Sequence, residues 1–271
     1  MKVYISADME GISGIVHPDQ TDSKHKEYDR ARRLMTDEVN AAVAGAVAGG
    51  ATEIVVNDSH GGMTNILLEH LDERAHLISG SPKPLSMMQG IDEGADAVFF
   101  VGYHAQAGTL HGILEHTYSS STVWQVTLNG RPVGETGLNA ALAGHYGVPV
   151  VLVTGDLAVC QEARDLLGPH VETVPVKQSY GRTAARCLPT AQAHQAIHQA
   201  ARRAVSAPVA PLVIQTPVTV AVELIKTTQA DVVALLPGSQ RPTPRRVEYT
   251  APDMLRAYQA LLVMLRLAWN T

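Results

Sequence analysis

The chain is poor in cysteine, with two, Cys160 and Cys187, among its 271 residues. They form no Cys-x-x-Cys pair, and one pair cannot supply the disulfide framework of a small secreted protein. Strand-like sequence begins at Lys2, without the charged and apolar segments of a secretory leader. We therefore expect both cysteines to be ordinary core residues and the protein to be cytoplasmic.

Clustered positive charge and long apolar runs are also missing. The net charge is -5, and the lysines and arginines are scattered along the chain. A nucleic-acid partner is therefore not expected, because such binders carry a concentrated basic patch. No uncharged apolar run reaches the roughly 20 residues that span a bilayer, so no membrane partner is expected. The dinucleotide glycine fingerprint, the P-loop and the Gly-x-Ser-x-Gly elbow are absent as well.

Strand-like and helix-like runs alternate up to about residue 155. This alternation is typical of a mostly parallel sheet with helices on its faces, so we expect an α/β fold. The very apolar run 97–102 has the composition of a strand buried on both sides. The predicted strands are 2–7, 53–57, 75–78, 97–102 and 148–153, and the predicted helices are 26–49, 63–72, 84–93 and 138–146.

The pattern loosens in the second half of the chain. Asn129-Gly130, between two alternating runs, predicts a β-hairpin. We expect residues 1–159 to form a metal-binding α/β domain, and residues 160–271 to form a smaller C-terminal α/β part that completes the fold and makes oligomer contacts. Within that part the predicted helices are 160–168, 190–206 and an amphipathic one at 254–265. Residues 212–225 contain extended apolar runs broken by Pro217, and 232–236 is a predicted strand.

Metal-preferring side chains follow three of the predicted strands. Asp8 and Glu10 come after the first strand, His60 after the second, and His104 directly after the run 97–102. Because the carboxyl ends of parallel strands face a common crevice, these four side chains are expected to converge. Carboxylates and imidazoles suit zinc, manganese and related divalent ions. The sequence therefore predicts a metalloenzyme site.

Three further residues are candidates for this site. His111 and His116 lie in the loop after His104, and either can ligate a metal or shuttle protons, although the strand end favours His104 as the ligand. Glu135 by itself is explained as a carboxylate at a helix N-terminus, worth about 0.3–1 kcal/mol. It becomes a ligand candidate if the predicted hairpin folds over the crevice.

These motifs resemble one family, the zinc-dependent D-aminopeptidases of the bacterial dipeptide-operon type. The resemblance covers nearly the whole chain. The segments that carry it are Ser6-x-Asp8-x-Glu10-Gly11-Ile12-Ser13-Gly14, Val56-Asn57-Asp58-Ser59-His60, Ile78-Ser79-Gly80, Gly102-Tyr103-His104-Ala105, Arg131-Pro132-Val133-Gly134-Glu135-x-Gly137-Leu138-Asn139, Val176-Lys177-Gln178 and Asp253-Met254-Leu255-x-Ala257-Tyr258-Gln259-Ala260.

The resemblance implies a site with two zinc ions per subunit. Its ligands would be Asp8 as the bridge, Glu10 and His60 on one ion, and His104 and Glu135 on the other, with His116 as the catalytic residue. The family hydrolyses short peptides with an N-terminal D-residue, typically D-alanine, and assembles as ring-shaped homo-decamers. We expect a metal-activated water to attack the peptide bond, with His116 as the proton carrier.

Two alternatives to this function stay open on the residues alone. One is another metallohydrolase on the same scaffold, such as an amidase or peptidase acting on L-peptides or a phosphoesterase, since the same ligand types serve all of these. The other is a metal-binding protein without catalysis. Stereospecificity follows from the resemblance and not from the residues.

Overall fold

The structure is a computed structural model that describes residues 1–269 and 271. The described part contains eleven strands and six α-helices. The strands are β1 (Lys2–Ala7), β2 (Glu53–Asp58), β3 (Ala75–Ile78), β4 (Ala97–Tyr103), β5 (Val123–Leu128), β6 (Arg131–Val133), β7 (Val150–Asp156), β8 (Glu172–Gly181), β9 (Ala184–Cys187), β10 (Val218–Leu224) and β11 (Arg246–Ala251). The helices are α1 (Tyr28–Ala48), α2 (Glu135–His145), α3 (Leu157–Leu167), α4 (Thr190–Ala204), α5 (Thr227–Val233) and α6 (Met254–Trp269).

The strands form two sheets. The larger has the order β3-β2-β1-β4-β7-β8-β9, in which every neighbouring pair is parallel except β8 and β9. The smaller is antiparallel, with the order β11-β10-β5-β6. The mostly parallel α/β sheet predicted from the alternation of apolar runs is therefore confirmed.

The two faces of the large sheet bury two separate apolar cores. Successive side chains of β1 point to opposite faces, so Ile5 enters one core and Tyr4 the other. Helices α1 and α4 cover the first face and pack closely, since a Cβ on Gly45 would lie 2.4 Å from the His198 carbonyl oxygen. Helices α2 and α6 and the small sheet cover the second face. None of the described helices is both long and apolar enough to cross a membrane.

Several predicted elements differ from the structure. Residues 63–72 and 84–93 contain only short 3-10 turns, at Leu68–His70, Ser86–Met88 and Ile91–Glu93. The predicted strand 232–236 is wrong, because helix α5 ends at Val233 there. The hairpin at Asn129-Gly130 is confirmed, with both residues at positive φ, 48° and 80°. Strands from both sides of the predicted domain boundary share each sheet, and the division at residue 160 stays a prediction.

Candidate metal centre

The loops after β1 and β4 are locked together beside the point where the strand order reverses. The chain runs from β1 outward to β2 and β3, then returns to β4 on the other side of β1. The Asp8 amide donates to the Val101 carbonyl (2.8 Å), and the Gly11 amide donates to the Gly102 carbonyl (2.7 Å). A Cβ on Gly11 would lie 2.0 Å from the Tyr103 carbonyl oxygen, so glycine is required there. Ligands can bind at such a reversal in an open α/β sheet.

The first half of the site joins Asp8, Glu10 and His60, all of them buried. His60 Nδ1 lies 2.9 Å from Glu10 Oε2 and 3.3 Å from Asp8 Oδ1. His60 Nε2 lies 3.1 Å from the Thr21 carbonyl oxygen, which can only accept, so this nitrogen donates. The contact orients the ring with Nδ1 toward the carboxylates, as a hydrogen bond behind a metal-binding histidine does.

The second half joins the same Asp8 to His104 and Glu135. His104 Nε2 lies 3.4 Å from Asp8 Oδ2 and 3.4 Å from Glu135 Oε2. His104 Nδ1 donates to the Ala105 carbonyl (3.0 Å), which again leaves the other nitrogen facing the carboxylates. Glu135 is the first residue of α2, and its Oε1 accepts the Tyr118 amide (2.7 Å). Asp8 thus stands between both halves.

The donor atoms of this cluster fit a metal ion. Asp8 Oδ2 and His104 Nε2 are fully buried and lack a hydrogen-bond partner, although buried polar atoms are almost always partnered. Two sets of donor atoms each lie within 4.8 Å of one another. Carboxylate oxygens and imidazole nitrogens are the donors that zinc takes at catalytic sites. The two sets are Asp8 with Glu10 and His104, and His104 with His116 and Glu135.

The charges of the cluster shift its pKa values strongly. Burial, together with the neighbouring Glu10 carboxylate, raises the pKa of Asp8 to about 7. Burial also acts to raise the pKa of Glu10, but the adjacent His60 outweighs it and the net pKa is well below its usual range. His60 and His104 show the reverse, because their carboxylate neighbours outweigh burial and raise their pKa values. Without an ion, protons therefore supply positive charge among the carboxylates.

His116 lies beside this cluster, and His111 does not. The His116 ring stacks on His104, with centroids 4.1 Å apart and 11° between the planes. Its Nδ1 donates to the Leu114 carbonyl (2.9 Å), and its Nε2 is 3.7 Å from Glu135 Oε1. Burial and the neighbouring His104 lower the pKa of His116, so the ring favours the neutral form. His111 is exposed and lies outside the cavity described next.

The cluster opens into a cavity of about 1270 Å³. Its described lining includes Asp8, Glu10, His60, His116 and Glu135, together with polar residues of the loops at 18–24, 81–86 and 118–121. Part of another wall comes from the exposed face of α6, at Gln259, Val263 and Trp269 among others. The cavity is large enough to admit a short peptide to the site.

Lys177 is a residue that sequence reasoning did not single out as functional. It lies in β8, is 2% exposed, and donates from Nζ to the carbonyls of Glu10, Ile12 and Ile15. Burial lowers its pKa to about 8. An isolated lysine in a buried strand was the available signal, but its three acceptors are backbone atoms more than 160 residues away. Lys177 therefore fixes the loop that carries Glu10.

We expect Lys177→Met to destabilise the fold by about 2 kcal/mol or more, because the carbonyls of Glu10 and Ile15 lose their donor and each unsatisfied buried group costs about 1–3 kcal/mol. The Ile12 carbonyl keeps the Ile15 amide as a donor. Urea unfolding of the metal-free protein measures this effect. Lys24→Met, at an exposed lysine of the cavity lining, serves as control and should stay within about 0.5 kcal/mol. A Lys177→Met protein as stable as wild type would contradict this role.

A second group of polar residues connects both halves of the site inside the protein. Tyr103, which precedes His104, bonds to Ser6 (2.7 Å) and accepts from the Asn139 amide group (2.9 Å). The Tyr258 hydroxyl of α6 donates to Asn139 Oδ1 (3.0 Å) and lies 2.7 Å from the Tyr118 hydroxyl. Through this chain the C-terminal helix supports the loop that carries Tyr118.

Comparison with known proteins agrees with this architecture. A family model described as D-aminopeptidase, peptidase family M55, matches residues 1–263. The D-aminopeptidase of Bacillus subtilis (strain 168) is 43% identical over 276 aligned residues, which cover 100% of this chain and 99% of that protein. A solved structure, described as the Zn-dependent D-aminopeptidase DppA from Bacillus subtilis, a self-compartmentalizing protease, superposes with a TM-score of 0.96 at 41% identity. That match covers 100% of this chain and 99% of the other.

These matches confirm the resemblance predicted from the motifs, and they extend beyond the site to almost the entire length of the chain. The chain belongs to the D-aminopeptidase family, a family of peptidases.

Proposed function

We propose that this protein is a zinc-dependent aminopeptidase that removes an N-terminal D-residue, preferably D-alanine, from short peptides. The observation that carries the proposal is the buried cluster around Asp8, in which Asp8 Oδ2 and His104 Nε2 are fully buried without a hydrogen-bond partner. The zinc requirement stated for the matched Bacillus structure supports the choice of metal.

We assign two zinc ions to each chain. Asp8 would bridge them, because its two oxygens face different histidines, His60 and His104. Glu10 would complete the first position with His60, and Glu135 the second with His104. When bound, zinc supplies Lewis acidity, which activates water and polarises a carbonyl group at neutral pH.

His116 is the proton carrier in this proposal. Its Nδ1–H is held by the Leu114 carbonyl, so Nε2 is the nitrogen that can accept a proton on the side of Glu135. As water oxygen bonds to the scissile carbonyl carbon, Nε2 takes a proton from that water. The carbon–nitrogen bond then breaks, and the same proton passes to the leaving amine. The lowered pKa of His116 keeps the ring in the accepting form.

The experiment that tests the function compares hydrolysis of D-alanyl and L-alanyl p-nitroanilide by zinc-loaded protein, with a chelated sample beside it. We expect cleavage of the D form alone, abolished by the chelator and restored by zinc. Cleavage of the L form at a similar rate would instead identify an L-peptidase on the same scaffold. Full zinc content without cleavage of either compound, or of D-alanyl peptides with a free carboxyl end, would point to a binding protein.

Assembly as a homo-decamer is proposed as well. The description of the matched structure as self-compartmentalizing supports an assembled enzyme that encloses its active sites. Native mass spectrometry tests the number of chains, each of 28.9 kDa, and a stable monomer would contradict assembly. The cytoplasmic location stays a prediction from the cysteines, which are both unpaired among the described residues.

A further inference from the structure

The cavity beside the metal cluster carries positive charge that the proposed chemistry does not use. The described lining contains four cations, Lys24, Lys83, Arg182 and Arg266. Three of them have ordinary surface settings: Lys24 is exposed, Arg182 pairs with Glu115 (3.5 Å), and Arg266 lies over the ring of Trp269. Lys83 differs, because it is half-buried.

The ammonium group of Lys83 is bonded to neutral acceptors. Nζ donates to Asn57 Oδ1 (2.6 Å) and to the Asp58 carbonyl oxygen (2.7 Å). The Asp58 carboxylate is engaged elsewhere, since it accepts from the Asn65 side chain (2.7 Å) and the Ile66 amide (2.8 Å). An ammonium has three N–H donors, so one of them remains on a side chain that lines the cavity.

This arrangement leaves a partly desolvated positive charge that the Asp58 carboxylate influences electrostatically, while the two hydrogen bonds of Nζ go to neutral acceptors. Burial lowers the pKa of Lys83 to about 8, and the group is still mostly protonated at neutral pH. A charged group taken from water is costly unless an opposite charge pairs with it. An anionic ligand in the cavity would supply that pair through a charge-assisted hydrogen bond.

Lys83 also lies close to the reacting position. Its bonded partner Asp58 is two residues before His60. Because an extended chain spans at most about 3.6 Å per residue, the ammonium lies within about 10 Å of the His60 backbone. In a dipeptide, the terminal carboxylate follows the scissile carbonyl by one residue, about 3.8 Å along the chain. In a tripeptide the carboxylate follows by two residues, about 7.6 Å, which together with the hydrogen bond covers the bound of about 10 Å. A peptide of three residues therefore has the length to reach from the cluster to Lys83.

We propose that Lys83 binds the free C-terminal carboxylate of the peptide, so that the site selects short peptides with an unblocked carboxyl end. This inference rests on the proposed aminopeptidase function and names the part of the substrate that the metal cluster does not hold. If Lys83 only stabilised the turn before His60, the rate of hydrolysis would not depend on the charge at the C-terminal end of the substrate. A dependence on that charge therefore separates carboxylate binding from a purely structural role.

The test compares tri-D-alanine, the free acid, with its C-terminal amide, which lacks the negative charge. We expect the wild-type enzyme to prefer the free acid by about 10- to 100-fold in kcat/KM, mainly through KM, as for the loss of a charge-assisted hydrogen bond. Lys83→Met should abolish this preference, with amide cleavage changed less than about threefold and zinc content unchanged. Lys83→Arg should retain the preference, and the exposed Lys24→Met should behave as wild type.

Binding without turnover provides an independent readout. In a zinc-loaded His116→Ala background, calorimetry should show the free acid binding about 10- to 100-fold more tightly than the amide, and Lys83→Met should remove that difference. Equal kcat/KM of the wild type on acid and amide overturns the inference even if Lys83→Met fails to fold. An equal fall in kcat/KM on both substrates in Lys83→Met also overturns the inference, because it shows that Lys83 only stabilises the turn before His60. Failure of the wild type to cleave either peptide contradicts the proposed function itself.

Discussion

Asp8→Asn is expected to empty both metal positions and to lower turnover by at least about 1000-fold. Asp8 is the residue whose two oxygens face both histidines, at 3.3 Å from His60 and 3.4 Å from His104. An amide in its place keeps the shape but removes the negative charge and one acceptor oxygen, so one ion loses its ligand atom and the other keeps only a neutral amide oxygen. Metal analysis after dialysis, together with kcat on a D-alanyl substrate, measures both effects.

Two other variants test whether the loss of both zinc ions is specific to Asp8, the proposed bridging ligand. His60→Ala should lose one ion and keep the other, because His104 and Glu135 remain in place. Asp22→Asn removes a negative charge from the exposed rim of the same cavity and should keep the full zinc content. If Asp8→Asn retained two zinc ions per chain, the assignment of Asp8 as the bridging ligand would be wrong.

His116→Ala is expected to retain the full zinc content and to lose turnover by about 100- to 10,000-fold, the usual contribution of a positioned proton carrier. The half-buried ring lies at van der Waals distance from His104, and its removal leaves the ligands themselves in place. Zinc content and kcat, measured on the same preparation, separate catalysis from metal binding.

The structure offers one competing role for His116, as a ligand. Its ring nitrogen forms a compact set with His104 and Glu135, within 4.8 Å of one another. If His116 is a ligand, His116→Ala would release one of the two zinc ions. That result would identify His116 as a metal ligand and not as the proton carrier. His111→Asn is the matched control, because His111 is exposed at φ 60° and asparagine tolerates that conformation. It should change neither zinc content nor turnover.

The sheet and the cluster were predictable from the sequence because both depend on local pattern. Fully buried strands such as β4 read as uninterrupted apolar runs, and the polar residues after them necessarily meet at one edge of a parallel sheet. Glu135 shows the limit of this reasoning. Its position as the first residue of α2 agrees with the capping interpretation, while its contact with His104 depends on how the hairpin before it folds.

The predicted helix at 63–72 failed for a physical reason that the pattern does not contain. Met63 has a φ of 59°, outside the right-handed helical region. The Asp58 carboxylate accepts the backbone amides of Asn65 and Ile66, which therefore do not need helical partners. In the predicted helix at 84–93, Ser86 at φ 48° and Gly90 at φ 93° interrupt the winding. Hydrogen bonds such as those of the Asp58 carboxylate form in the folded protein, so the helical spacing of apolar residues does not predict them.

The separation between ligands and their supports has a consequence for synthesis of the protein. All five proposed ligands lie within the first 135 residues, whereas Lys177 and Tyr258, which hold the surrounding loops, come from strand β8 and helix α6. Strand β10, the partner of β5 ahead of Glu135, also comes late, at residues 218–224. A ribosome-bound chain that has exposed every ligand therefore still lacks the framework that fixes them. A defined metal site therefore requires the elements that follow the last ligand in the chain, strands β8 and β10 and helix α6 among them.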